Sequence, residues 1–494
     1  MPNGGRRELI LEGLTASSLL PTPPLGIPQV LQGMIIDRNG LIPSNAIQRV
    51  SVQNYEEINR LKQVVQQLLD AAKQQGASAA EAAISVDNGL SVSARLGDVE
   101  TIEYHCDQGI GVTVYFGQRK GAASTNDVSQ ESLKETVKAA CSIAKYASED
   151  EYAGLPDLDS LATECPDLDL NHPWALDAEQ AIALAIECEN AARHFHPAIS
   201  NSEGASVNSH QGTRVFGNSL GFLQGYQASR HSLSCSVLAG SGDGMQRDYW
   251  YTVARDAKHL EPARYVGEKA AQRTIARLDA RSLSTRQCPV LFSAEMASGL
   301  IAALVGAISG GSLYRKATFL LDSLESQILP DFVRIHEQPL LKGGLGSASY
   351  DAEGVATQTR DIVSEGVLRS YLLSTYSARK LGMKTTGNAG GVHNLIVEPG
   401  ERDFAGMLAL LDTGLLVTEL MGQGINRVTG DYSRGASGFW VENGQIQYPV
   451  QEITIAGNLK TMLRNLVAIG NDVDLRGNVR VGSILLEQMA IAGE

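Results

Sequence analysis

The sequence lacks clustered basic residues and long apolar runs, and each lack excludes a class of protein. The formal net charge is −14, and the densest basic stretch is GQRKG at 117–121, which is typical of a hairpin turn. Nucleic acid phosphates are bound by clustered Lys and Arg, so we expect no nucleic acid partner. No apolar stretch is long enough to span a bilayer, so we expect no contact with membranes either.

Paired cysteines are also missing. The six cysteines are widely separated, and none forms a C-x-x-C pair. Isolated cysteines are typical of reduced, buried thiols, so we expect a cytoplasmic protein. Residues 1–50 contain prolines and acids but no uninterrupted apolar core of a signal peptide. We expect them to be a mostly disordered N-terminal extension, or Met34 to be the start codon instead of Met1.

Length and glycine content predict several domains of class α+β. The chain has 494 residues, too many for one typical core, and its 50 glycines indicate many turns. Aperiodic, linker-like segments lie at 148–170 and 279–289. We predict N-terminal helices on antiparallel sheets, then a β-rich C-terminal domain with a few helices. The predicted domains are 52–150, 165–283 and 285–494.

Local patterns place individual elements within these domains. Apolar residues at helical spacing predict a first helix that begins at Asn54. Asp177 and Gln180 have the spacing of a capping box and predict another helix start. Asn88-Gly89 and Asn443-Gly444 are turn signals, and both are expected to separate strands.

Two motifs suggest catalysis, but structural explanations are stronger. GNSLG at 217–221 fits the G-x-S-x-G pattern of serine hydrolases, which requires a strand, a sharp turn and a helix. Strand-like residues follow the motif here, so a hairpin turn is predicted instead. His194 and His196 lie two residues apart at a predicted helix end, a spacing that does not align two metal ligands on one helical face.

The segment GDYSRGASGFW at 430–440 combines glycines with Tyr432, Arg434 and Trp440. Glycine allows another chain to approach the backbone, and arginine with aromatic residues is typical of recognition surfaces. A tight turn beside a strand, with Trp440 in the core, explains the same residues equally well.

Four segments carry a resemblance to a known family. They are LVGAISGGSLYRKATFLLDSL, STYSARKLGMKTTGNAGGVHN, LVTELMGQGINRVTGDYSRGASGFWVENGQIQYPVQEITIAGNLKTMLRNLVAIGND and GSILLEQMAIAG. These segments closely resemble the PmbA (TldE) branch of the TldD/PmbA family of metallopeptidase-related proteins. The resemblance extends from about Gln53 to the C-terminus.

The resemblance implies a cytosolic bacterial protein that works with a TldD-like partner. Such a pair processes modified peptide precursors and degrades unfolded or antitoxin-like polypeptides. One alternative is an autonomous metallopeptidase with a site other than HExxxH, for which Glu295, Asp322 and Glu419 are candidate carboxylates. Another is a non-enzymatic modulator that binds DNA gyrase. A homodimer of the isolated chain is also open.

TldD-type relatives hold zinc with an HExxxH helix and a distal cysteine, and the glutamate activates water. When that helix is aligned through Val305-Gly306, the histidine positions fall on Ala302 and Ala307, and the glutamate position falls on Ala303. No cysteine follows Cys288. The resemblance therefore implies no catalytic or metal-binding residue and no cofactor in this chain, with zinc in the TldD-like partner.

Extended peptide substrates are expected to add as strands to an exposed sheet edge, because backbone hydrogen bonds tolerate varied sequences. Candidate substrate contacts lie in glycine-rich or strongly family-like stretches. They are Arg379, Asn388, His393, Arg434 and Trp440.

Overall fold

A six-stranded antiparallel sheet organises the first half of the chain. The computed structural model describes residues 44–493, so the predicted extension at 1–50 lies outside the described residues except for its last seven. The strand order is β3-β2-β1-β4-β5-β6. The strands are β1 (Ala79–Arg95), β2 (Asp98–Phe116), β3 (Arg119–Thr125), β4 (Ile199–Asn218), β5 (Leu223–Ala239) and β6 (Gln246–Ala254).

Four helices pack on one face of this sheet in two pairs. Residues 58–72 of α1 (Ser44–Gln74) and helix α2 (Gln130–Tyr146) share a core with β1 and β2. Helices α3 (Ala178–Arg193) and α4 (Ala263–Ala276) cover β1, β4 and β5 at the other end. Burial alternates along β1, so its inward residues pack under the helices and its other residues line the opposite face.

Helix starts follow the sequence signals to different degrees. The capping box is confirmed, because the Asp177 side chain accepts from the Gln180 backbone and Gln180 returns the bond. The start of α1 at Ser44 lies ten residues before the predicted Asn54. No glycine or proline lies between Ser44 and Asn54, so nothing in that stretch interrupts a helix.

The predicted break at Asn88-Gly89 is wrong. Strand β1 continues through both residues, because β2 pairs with one of its edges and β4 with the other. Ladder hydrogen bonds on both sides outweigh a local turn preference. The same pairing makes the sheet continuous between the predicted N-terminal and middle domains.

The C-terminal half contains a sheet that closes on itself. Its order is β14-β13-β12-β7-β17-β15, and an additional β14–β17 pairing joins five strands into a ring. The Asn443-Gly444 turn is confirmed between β13 and β14, with positive φ at both residues. The strands are β7 (Arg286–Phe292), β12 (Gly414–Met421), β13 (Asp431–Glu442), β14 (Gln445–Asn458), β15 (Leu466–Ile469) and β17 (Ile484–Ala492).

A smaller sheet and several helices surround this ring. The smaller sheet has the order β10-β9-β8-β11-β16. Its strands are β8 (Ile335–Glu337), β9 (Arg360–Ser364), β10 (Val367–Leu368), β11 (Leu395–Val397) and β16 (Val479–Arg480). The helices are α5 (Ala294–Ala307), α6 (Gly310–Tyr314), α7 (Thr375–Leu381), α8 (Phe404–Leu411) and α9 (Leu459–Arg464).

This arrangement confirms the predicted α+β class, with helices on an antiparallel sheet followed by a β-rich C-terminal half. The domain boundaries themselves stay a prediction. Among residues 44–493, no helix combines the length and the hydropathy needed to cross a membrane.

Candidate functional site

Helix α5 carries alanine at all three positions that the resemblance aligns with a zinc motif. It follows β7 and presents an apolar face to the C-terminal core. Ala302 is exposed, Ala303 is buried and Ala307 is completely buried. Methyl groups have no lone pair for zinc and no exchangeable proton, so these residues do not fit a zinc site.

Ion pairs join α5 to α4 and to Arg476. Glu295, in its first turn, contacts Arg273 Nη1 at 3.1 Å and Arg476 Nη2 at 2.5 Å. Arg273 also contacts Asp248 at 3.3 Å, and Arg277 joins Asp248 to Glu419. Two of the candidate carboxylates, Glu295 and Glu419, are therefore committed to arginines. The third, Asp322, is exposed.

Asn388 and His393 meet around a buried carboxylate that sequence reasoning missed. Glu337 is 2% exposed and accepts from Asn388 Nδ2 at 3.0 Å and from the His393 backbone N–H at 2.9 Å. Arg360 Nη2 donates to the same carboxylate at 2.8 Å and also to Asn388. Burial lowers the pKa of His393, and the nearby Glu337 opposes that effect. The cluster fixes the loop between α7 and β11.

Arg379 lies apart from this cluster and anchors the segment at 148–170. Its guanidinium donates to the Leu155 carbonyl at 2.6 Å and to the Tyr152 carbonyl at 3.4 Å. Tyr376, on the same helix, donates to Asp150 at 2.8 Å. The segment at 148–170, which its composition predicts to be a linker, is therefore bound to α7.

Arg434 and Trp440 both lie on β13. The Trp440 indole is 5% exposed, donates to Glu442 at 2.8 Å, and lies under the Arg286 guanidinium at 5.0 Å from the ring centroid. Arg434 is half-buried beside Tyr432, whose pKa burial raises to about 12. Trp440 thus belongs to the core, and Arg434 is the more accessible of the two.

The other two motifs have structural roles. GNSLG joins β4 to β5, so it is a strand–turn–strand connection, as predicted. His194 follows the last residue of α3, and its ring contacts the Asn190 carbonyl. His196 accepts from the Ala198 backbone N–H. In the described part of the chain, no group of three or more His, Cys, Asp or Glu side chains is arranged to hold a metal ion.

Two adjoining cavities lie on the face of the N-terminal sheet opposite α1–α4. One has a volume of about 380 Å³ and a floor of small residues that includes Ala83, Gly111 and Ser124. The other, of about 360 Å³, is lined by Tyr115, Lys120, Asp150, Glu353 and Tyr376, and Glu81 lines both. Burial raises the pKa of Glu81, and Lys120 opposes this. No sequence signal marked this groove.

The loop that borders these cavities makes stability depend on pH. Burial raises the pKa of Asp351 to about 6, although its carboxylate accepts backbone N–H groups from Ala389, Glu353 and Val355. The folded state therefore favours the protonated Asp351 carboxyl. Its contribution to the free energy of unfolding is fully present below the unfolded-state pKa, about 3.9, and is lost as the pH rises through the folded-state pKa of about 6. The neighbouring Glu353 carboxylate adds to the shift.

We expect Asp351→Asn to remove roughly 3 kcal/mol of the fall in unfolding free energy between pH 4 and pH 7, because two pKa units correspond to that energy. Urea unfolding of both proteins across this range measures the effect. The exposed Asp322→Asn is the control and is expected to keep the wild-type pH dependence. Parallel curves for the wild type and Asp351→Asn would contradict the assignment.

Three domains of one protein family match successive parts of the chain. Residues 285–493 match the PmbA/TldA metallopeptidase C-terminal domain, 171–278 match the central domain, and 80–144 match domain 1. Together these ranges cover most of the chain. The chain belongs to the PmbA/TldD family.

Individual relatives agree with this membership. "Metalloprotease PmbA" from Escherichia coli O157:H7 is 54% identical over 415 residues, which are 84% of this chain and 92% of the relative. A crystal structure from Bacteroides thetaiotaomicron, described as a modulator of DNA gyrase, has 28% identity and a TM-score of 0.84, covering 88% of this chain and 99% of that one. TldE from Thermococcus kodakarensis has the same fold, with 19% identity, a TM-score of 0.75, and coverage of 87% and 100%.

Proposed function

We propose that this chain is the non-catalytic subunit of a cytoplasmic metallopeptidase whose zinc-bearing subunit is a TldD-like protein. The observation that carries the proposal is α5. The helix is well packed and held in place by Glu295, yet it has alanine where a zinc motif would place two histidines and a glutamate. A helix retained without its chemistry supports a scaffold role within a peptidase family.

The lack of a distal thiol supports the same proposal independently. Cys288 is the last cysteine of the sequence, and it is buried. Burial raises its pKa to about 11, which disfavours the thiolate that a zinc ion requires. In this proposal the chain supplies a wall of the substrate chamber, and the partner supplies zinc and the activated water.

The proposed substrates are extended polypeptides, namely peptide precursors and unfolded or antitoxin-like chains. Such substrates have unpaired backbone groups, which a protein with exposed strand edges can bind without a strict sequence requirement. Among the described sheets, the N-terminal sheet and the smaller C-terminal sheet are open and therefore have edge strands.

The test is reconstitution of cleavage from separately purified chains. This chain and a TldD-like protein are assayed alone and together on an unfolded, fluorescently quenched peptide. We expect cleavage by the pair and no cleavage by this chain alone. Full cleavage by the TldD-like protein without this chain would contradict the subunit role.

The same cleavage assay tests whether Arg434 contacts the substrate. It is half-buried on β13, and its guanidinium donates a long hydrogen bond, 3.5 Å, to the Leu420 carbonyl. We expect Arg434→Gln to reduce cleavage by the pair about tenfold, as expected for loss of one charged substrate contact. Arg247→Gln, at an exposed ion pair with Glu203, is the matched control. Equal cleavage rates for Arg434→Gln and the wild type would show that Arg434 does not contact the substrate.

A second candidate is binding to DNA gyrase, which the description of the Bacteroides thetaiotaomicron protein suggests. Recovery of gyrase with the purified chain, and no recovery of a TldD-like protein, would favour this function. Zinc bound by the chain alone would instead favour an autonomous peptidase.

A further inference from the structure

One stretch of β2 has an open edge. Strand β3 pairs with β2 only between Ile110 and Phe116. From Val99 to Gly109, roughly 35 Å of strand, β2 pairs with β1 on one side and with no described strand on the other. Side chains from Asp98 to Tyr104 are exposed throughout.

The geometry of the hairpin shows which backbone groups this edge offers. Strands β2 and β3 are joined by a two-residue turn, so the flanking residues Phe116 and Arg119 form a hydrogen-bonded pair. Every second residue back along β2 therefore turns its N–H and C=O toward this edge. The β1–β2 register is unbroken as far as Thr101, so the alternation reaches Cys106, Tyr104 and Ile102.

The hairpin that contains this edge exposes apolar side chains. Leu96 is 50% exposed, Val99 41%, Ile102 45% and Tyr104 73%. Natural proteins usually blunt such edges with lysine, proline or short strands. Open backbone groups together with a group of exposed apolar side chains on one hairpin are the features of a strand-docking surface.

Charge identifies the kind of strand that fits. The segment from Asp98 to Gly109 contains four acids and no Lys or Arg; the acids are Asp98, Glu100, Glu103 and Asp107. A second copy of this chain, paired along the same edge, would bring two acidic strands side by side, which is unfavourable. A strand that alternates basic and apolar residues is complementary in both charge and hydrophobicity.

We propose that the open edge of β2 between Val99 and Gly109 binds an extended, basic and apolar polypeptide segment as an added strand. This inference rests on the proposed function, because it names where, and with what chemistry, a peptide substrate binds outside the alanine helix. Outward backbone groups at Ile102, Tyr104 and Cys106 hold the strand, and Glu100 and Glu103 select its basic side chains.

The test measures binding by the full-length chain alone, with no protease present. A fluorescent peptide of alternating lysine and valine is titrated by anisotropy, and a glutamate–valine peptide serves as the charge control. We expect the lysine peptide to bind and the glutamate peptide not to bind. We expect the double variant Glu100→Lys/Glu103→Lys to weaken binding about tenfold or more, while Glu164→Lys/Glu401→Lys, with the same charge change at exposed sites elsewhere, stays near the wild type.

Tyr104→Pro removes one outward N–H while leaving the β1 ladder its donors, and it is also expected to weaken binding. If that variant does not fold, the double variant Glu100→Lys/Glu103→Lys still tests the proposal. Wild-type affinity of the double variant Glu100→Lys/Glu103→Lys for the lysine peptide would overturn the proposal. So would a Tyr104→Pro variant that changes only self-association of the chain. Binding retained without cleavage by the reconstituted pair would count against the proposed function alone.

Discussion

Replacing Glu337 with alanine is expected to lower the free energy of unfolding by about 3–5 kcal/mol. The carboxylate is 2% exposed and joins Arg360, Asn388 and the backbone of His393. Its removal leaves the Arg360 guanidinium, which is 19% exposed, without its charge partner. Chemical denaturation of the full chain measures the loss.

The control for this variant is Glu325→Ala. Glu325 also pairs with an arginine, Arg369, but both side chains are exposed. Exposed ion pairs contribute about 0–1 kcal/mol, so little change is expected. Equal effects of the two substitutions would show that the Glu337 cluster does not stabilise the loop between α7 and β11.

Trp440→Ala is expected to destabilise the chain by about 3–5 kcal/mol, because it removes a large side chain from the C-terminal core. It also removes the contact with the Arg286 guanidinium and the bond to Glu442. Trp440→Phe keeps most of the packing and is expected to retain most of the stability. Thermal unfolding monitored by circular dichroism provides the comparison.

These variants also separate a core role of Trp440 from a substrate role. If Trp440 acts only through packing, Trp440→Phe keeps peptide cleavage by the reconstituted pair at the wild-type rate. If the Trp440→Phe variant is folded and stable but the reconstituted pair no longer cleaves peptide, Trp440 contacts the substrate. Arg434→Gln, on the same strand, tests the accessible position independently.

Local signals in the sequence predicted local structure well. The Asp177–Gln180 capping box and the Asn443-Gly444 turn each depend on a few neighbouring residues, and both are confirmed. The break at Asn88-Gly89 was wrong because a distant strand, β4, stabilises β1 through that point. A partner more than one hundred residues away leaves no mark in a short sequence window.

The candidate site was harder to predict for the same physical reason. Asn388 and His393 were singled out from a glycine-rich loop, but the charge that holds them, Glu337, lies on a short strand with no local pattern. Arg379 stays a predicted substrate contact, and its guanidinium binds carbonyls of the segment at 148–170, whose composition is typical of a linker. Burial of a charged group is set by tertiary packing and cannot be recognised from its neighbours in sequence.

The most direct test of the central claim is the zinc content of the chain purified alone, measured by elemental mass spectrometry. The alanines at 302, 303 and 307 predict a zinc content near zero, with zinc appearing only when a TldD-like protein is added and remaining with that protein on separation. One zinc ion per chain in the isolated protein would show that ligands exist elsewhere in it and would contradict the non-catalytic role.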